Sequence, residues 1–150
     1  MIPKIGISMG DPAGIGPEII IKTLALKDVY NRCNPLVVGD AETMQNEVDA
    51  LKSSLKINAI QDVNDAKFEF GIVDVYDLKN VNKNELQYGV VTAMAGKAAF
   101  EAVIKNIELA LANQIDATVT APINKESIHK AGHKYSGHTE IYADYTNTKK

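Results

Sequence analysis

Four side chains in this sequence could line a site for a small polar ligand: Asp11, Lys125, His138 and Thr139. They fall in three polar motifs. Ser8-Met9-Gly10-Asp11-Pro12-Ala13-Gly14-Ile15-Gly16-Pro17-Glu18 follows the apolar run Lys4 to Ile7, and Thr120-Ala121-Pro122-Ile123-Asn124-Lys125 follows Ala117 to Val119. Ser136-Gly137-His138-Thr139-Glu140 comes soon after. A strand, a polar turn and then a helix is how α/β proteins assemble sites at the carboxyl edge of a parallel sheet.

Each motif has a chemical reading and a plainer one. In the first, Gly10, Gly14 and Gly16 permit positive φ or close backbone approach, and Pro12 stiffens the turn. N–H groups at the start of the following helix can face an anion, with the Asp11 carboxylate at the strand end. The glycines do not fit G-x-G-x-x-G and no Gly-Lys-Ser/Thr closes the stretch, so neither a Rossmann fingerprint nor a Walker loop is present. A turn that only packs strand on helix explains them equally well. The Lys125 ammonium can pair with phosphate or carboxylate as a point charge, but by itself it reads as a solvated lysine. His138 can donate, accept or transfer a proton, and Thr139 can bind an oxyanion or cap a helix over residues 140–146. The plainer version has Thr139 only capping and His138 packed in the turn. His129 and His133, near helix ends, read as exposed. No set of His, Asp and Glu forms a complete metal site, no Ser-His-Asp arrangement stands out, and no catalytic residue is assigned.

The elements that must position these residues alternate in type. Strands are expected at 4–8, 36–39, 56–60, 71–76 and 117–120. Helices are expected at 17–26, with Pro17 in its first turn, and at 41–51, capped by Asp40. A long one covers 91–113, where Ala95, Ala98, Ala99, Ala102, Val103 and Ile107 recur at helical spacing. A short one covers 126–131, stopped by Gly132. The Asn- and Lys-rich stretch 77–87 reads as a loop. This pattern predicts a layered α/β/α fold with a largely parallel sheet.

Composition narrows the function classes. A chain of 150 residues that is 45% hydrophobic and 23% charged is an ordinary globular sequence. Sixteen basic against nineteen acidic residues, with Arg32 the only arginine, disfavour nucleic-acid binding. The single cysteine, Cys33, forms no internal disulfide and favours a reducing compartment. No signal peptide or membrane-length apolar run is read, so the expected location is the cytoplasm.

Taken in order and spacing, the three motifs and Ala131-Gly132 resemble the amino-terminal half of the 4-hydroxythreonine-4-phosphate dehydrogenase family of pyridoxal-phosphate biosynthesis. The resemblance runs from the first strand to the last helix, and the middle, 46–84, carries none of its diagnostic residues. It implies a fold like isocitrate and isopropylmalate dehydrogenases, with two α/β/α domains beside a cleft, of which residues 1–150 are an incomplete amino-terminal portion. It also implies a homodimer, NAD or NADP, and a divalent metal (zinc, magnesium or cobalt) whose histidine ligands lie beyond Lys150. The reaction implied is oxidation of the substrate's 3-hydroxyl and decarboxylation to 3-amino-2-oxopropyl phosphate. The family's substrate-binding His-Thr pair falls on His138 and Thr139, while Asp11 and Lys125 lie in matching motifs and are expected to line the same cleft.

Other readings stay open. They are a relative acting on 4-phosphothreonate, an acyltransferase of the phosphotransacetylase type, and a non-catalytic phosphate-binding or assembly module. The 150 residues alone are expected to lack dehydrogenase activity, and an incomplete sheet is expected to expose apolar surface.

Overall fold

In the computed structural model, which describes residues 1–149, five strands form one parallel sheet: β1 (Lys4–Ser8), β2 (Asn34–Gly39), β3 (Lys56–Ile60), β4 (Ile72–Asp77) and β5 (Ala117–Thr120). Their order is β3-β4-β2-β1-β5, with every neighbouring pair parallel. Strands covered on both faces need near-continuous apolar sequence. Leu36, Val37, Val38, Val73 and Val75 meet that need and are fully buried.

Helices close both faces, giving three layers. On one face, α1 (Gly16–Leu24) and α3 (Ala41–Ala50) bury Ile20, Ile21, Leu24, Met44 and Val48 against Val37, Val73 and Val75. On the other, α4 (Ala93–Leu111) lies on Leu36 and Val38 through Leu109. Its buried alanines 95, 98, 99 and 102 let the helix sit close to the sheet, as their spacing predicts. Side chains start α3 and α4: Asp40 Oδ2 accepts from the Thr43 N–H at 2.9 Å, and Thr92 Oγ1 from the Ala95 N–H at 3.1 Å. The expected helix over 17–26 is α1, which stops at Leu24; after a turn at Ala25 and Leu26 comes an unexpected second helix, α2 (Lys27–Arg32), on the surface with no buried residue.

Beyond β5 come α5 (Lys125–Lys130) and α6 (His138–Tyr145). Asn124 Oδ1 accepts from the Ser127 N–H at 2.9 Å, and Gly132 at φ +96° ends the α5 segment. Gly96 of α4 lies against the Ser127 carbonyl, where a Cβ has no room. Two readings of this region are corrected. Thr139 caps nothing: α6 begins at His138, two residues before the expected start, and Glu140 instead accepts from the Ser136 N–H at 2.8 Å. His133 is half-buried rather than exposed, because Phe100 offers its ring at 3.7 Å between centroids and 14° between planes. His129 is exposed, with Nε2 2.8 Å from the Tyr135 carbonyl.

Candidate substrate-binding site at the sheet edge

His138 and Thr139 open α6 beside the outer strand β5, where they line a hollow of about 440 Å³. The period-two alternation of β5 sends Thr118 and Thr120 to this side, and Thr146, Thr148 and Lys149 enclose the far end. The wall is therefore rich in hydroxyls, with one ammonium, and no carboxylate is among its lining residues. Tyr142 fixes the wall: its hydroxyl donates to Thr118 Oγ1 at 2.9 Å and ties α6 to β5. Burial raises the Tyr142 pKa, which keeps that donor protonated.

His138 stands out electrostatically. Burial pushes its pKa below the ordinary 6.5, so the ring is neutral at physiological pH, with one N–H and one lone pair. Its Nε2 is shut off from solvent without a hydrogen-bond partner. Such an atom is costly unless something pairs with it. No side chain caps α6, and the first N–H groups of a helix have no intrahelical acceptor. The hollow thus offers an imidazole, threonine hydroxyls and backbone donors to an anionic, hydroxylated ligand.

The other two predicted residues lie elsewhere. Asp11 is buried, and its Oδ1 accepts from the Ala13 N–H at 2.8 Å, bracing its own turn. Burial raises its pKa, and that backbone bond works against the rise. The Asp11 N–H donates to the Pro122 carbonyl at 3.0 Å, so the first motif is joined to the turn after β5, yet Asp11 is not part of the wall around His138. Lys125 is exposed at the start of α5 and lines a different hollow with Ser136 and Glu140. Within the described residues His138 and Thr139 share one hollow, Lys125 lines another, and Asp11 lines neither.

Thr118, Thr120, Tyr142 and Thr146 were missed from sequence, although a signal existed. His138, Tyr142 and Thr146 are spaced i, i+4, i+8 on one helix face, and Thr118 and Thr120 alternate along β5. Among the described residues no group of three or more His, Cys, Asp or Glu side chains could hold a metal ion, so this part of the chain does not fit one. The first turn of α1 carries the Glu18 carboxylate, which does not favour a nucleotide diphosphate there.

A profile described as "Pyridoxal phosphate biosynthetic protein PdxA" matches residues 31–150. The chain belongs to the PdxA family. Its PdxA-family fold has a TM-score of 0.96 to a crystal structure titled a 4-hydroxythreonine-4-phosphate dehydrogenase from Burkholderia phymatum, at 42% identity, covering 100% of this chain and 45% of that one. A structure from Salmonella typhimurium, titled a "putative 4-hydroxythreonine-4-phosphate dehydrogenase", follows at TM-score 0.92, 38% identity and coverage of 99% and 46%. Among curated proteins, a Clostridium botulinum relative named "Putative D-threonate 4-phosphate dehydrogenase" is 46% identical over 97% of this chain and 44% of its own length. One of the same name from Fusobacterium nucleatum is 45% identical over 99% and 45%. The chain thus spans less than half the length of these PdxA-family relatives. No helix among the described residues is long and apolar enough to cross a membrane.

Proposed function

We propose that the chain is the amino-terminal portion of a longer two-domain, homodimeric cytoplasmic dehydrogenase acting on 4-hydroxythreonine 4-phosphate in pyridoxal-phosphate biosynthesis. Membership of the PdxA family, with the TM-score of 0.96 to a structure of that title, carries the reading. The hydroxyl-rich hollow at His138 supports it, because a phosphorylated hydroxy acid presents the acceptors and hydroxyls that such a wall can pair.

The reaction takes a secondary alcohol to a ketone, and the β-keto acid so formed loses carbon dioxide. NAD or NADP, when bound, accepts the hydride. The contribution of this chain is orientation. The orphaned Nε2 of neutral His138 pairs with a substrate hydroxyl or oxyanion, and Thr139 with the α6 N–H groups holds the anionic part. Tyr142 keeps this wall on β5. A divalent metal would take its ligands from residues outside this chain.

A second reading, D-threonate 4-phosphate as substrate, is favoured by one feature. The two molecules differ at carbon 2, an ammonium in one and a hydroxyl in the other, and the His138 wall offers hydroxyls but no carboxylate to pair an ammonium. The names of the curated relatives point the same way.

The deciding experiment follows nicotinamide reduction by the full-length protein with both substrates and the metal. His138→Ala is expected to lower kcat/KM by about 10²-fold. The 150-residue chain alone is expected to show no turnover. Failure of the full-length protein to oxidise either substrate overturns the proposal, and the ratio of the two kcat/KM values chooses between the readings.

A further inference from the structure

At the carboxyl edge of the sheet, a second hollow of about 510 Å³ lies between the loop after β4, the first turn of α4 and the end of α5. Three ammonium groups from these three elements line it, Lys79, Lys97 and Lys130, against the single carboxylate of Glu85. Lys79 has no carboxylate within ion-pair distance among the described residues. Lys97 is held by Glu101 at 2.8 Å and Lys130 only loosely by Glu126 at 3.9 Å. Like charges gathered around one cavity repel one another, and an anion between them relieves that.

Asn80, also in the wall, adds an independent sign. Both polar atoms of its side chain are shut off from water and have no hydrogen-bond partner. A buried amide left with an idle donor and an idle acceptor calls for an explanation. The surrounding loop is built rather than loose: the Lys79 N–H donates to Asp77 Oδ1 at 3.1 Å and the Val81 N–H to Asp40 Oδ1 at 3.4 Å. Ala93 and Met94 add the first N–H groups of a 19-residue helix, where Thr92 caps only Ala95.

We infer that this hollow binds the phosphoryl group of a small ligand, at a site distinct from the one at His138. Lys79, Lys97 and Lys130 supply charge, the α4 N–H groups supply direction, and Asn80 reads an adjoining hydroxyl or amide. The same chemistry is met by a free phosphorylated metabolite and by the diphosphate of a nicotinamide dinucleotide.

Equilibrium dialysis of the full-length protein against labelled inorganic phosphate, pyrophosphate and NAD tests the inference. The variants are Lys97→Gln/Lys130→Gln, Asn80→Asp and, as a control of net charge, Lys27→Gln/Lys52→Gln. The first two are expected to weaken pyrophosphate binding at least tenfold, while the control retains it. An equal loss for NAD names the dinucleotide as the source, and a loss confined to phosphate and pyrophosphate names a free ligand. Wild-type affinity in both hollow variants, or an equal loss in the control, overturns the site. Circular dichroism of Asn80→Asp checks its fold, and the lysine pair, exposed at the surface, decides the matter if that variant unfolds. Loss of dehydrogenase activity in wild type bears only on the proposed reaction and leaves these binding outcomes readable.

Discussion

β2 and β5 flank β1 in the same parallel register, yet they are opposite in character. On β2, Leu36, Val37 and Val38 are sealed between helices and a further strand. On β5, Val119 is 51% exposed, and its neighbours Thr118 and Thr120 face a polar hollow. Identical backbone geometry thus serves two ends: where the sheet is covered on all sides it supplies cohesion, and where it is open it displays hydroxyls. The outer strand carries the candidate chemistry because its side chains can still be reached.

The contrast is tested most severely by truncation at matched positions. Leu36→Ala is expected to cost about 3 kcal/mol, from lost burial and a cavity that the packed sheet cannot close. Val119→Ala is expected to cost about 0.5 kcal/mol or less. Urea denaturation midpoints measure both. Comparable losses would break the distinction, and a larger Val119→Ala effect in the full-length protein than in this chain would show that β5 is covered there.

A smaller effect is expected where the two regions are tied together. Asn106, buried within α4, sends its Nδ2 donor to the Gly6 carbonyl at 3.1 Å and towards the Val119 carbonyl at 3.4 Å. Asn106→Ala leaves these groups without that partner and is expected to cost about 2 kcal/mol. Amide hydrogen exchange should rise on β5 more than on β2. Equal rises on both strands would count against Asn106 as a tie to the edge.

The smallest effect concerns His138 alone. Its folded pKa is depressed, so the unfolded chain binds the proton more readily. The associated stability is present above 6.5, the ordinary value, and is lost as pH falls through the lowered one. In His138→Gln the melting temperature should fall less than wild type over that interval. Parallel curves would show that the ring titrates as it does in water.

The sealed half of the fold is also the half most legible in the sequence. The run Leu36-Val37-Val38 and the alanine spacing of α4 report burial directly, because one dominant force selects those residue types. The break at Ala25 and Leu26 escaped because both residues are compatible with helix, and only the packing of α1 shows where it stops. At the edge, the motif marks His138 and Thr139, and both line the hollow beside β5. A carboxylate in a glycine turn, such as that of Asp11, looks the same in sequence whether it faces a ligand or its own backbone. His133 misled because its partner, Phe100, is remote in sequence. Period and composition report environment, whereas a polar residue's use depends on which partner reaches it first.

The bond from the Asp11 amide to the Pro122 carbonyl has a consequence for engineering. Gly10, at φ +78°, fits beneath that same carbonyl, where any side chain would collide. The two turns are therefore stitched into one mechanical piece. Grafting either from a relative without its counterpart should misalign the seam, and displacement of one will drag the other with it.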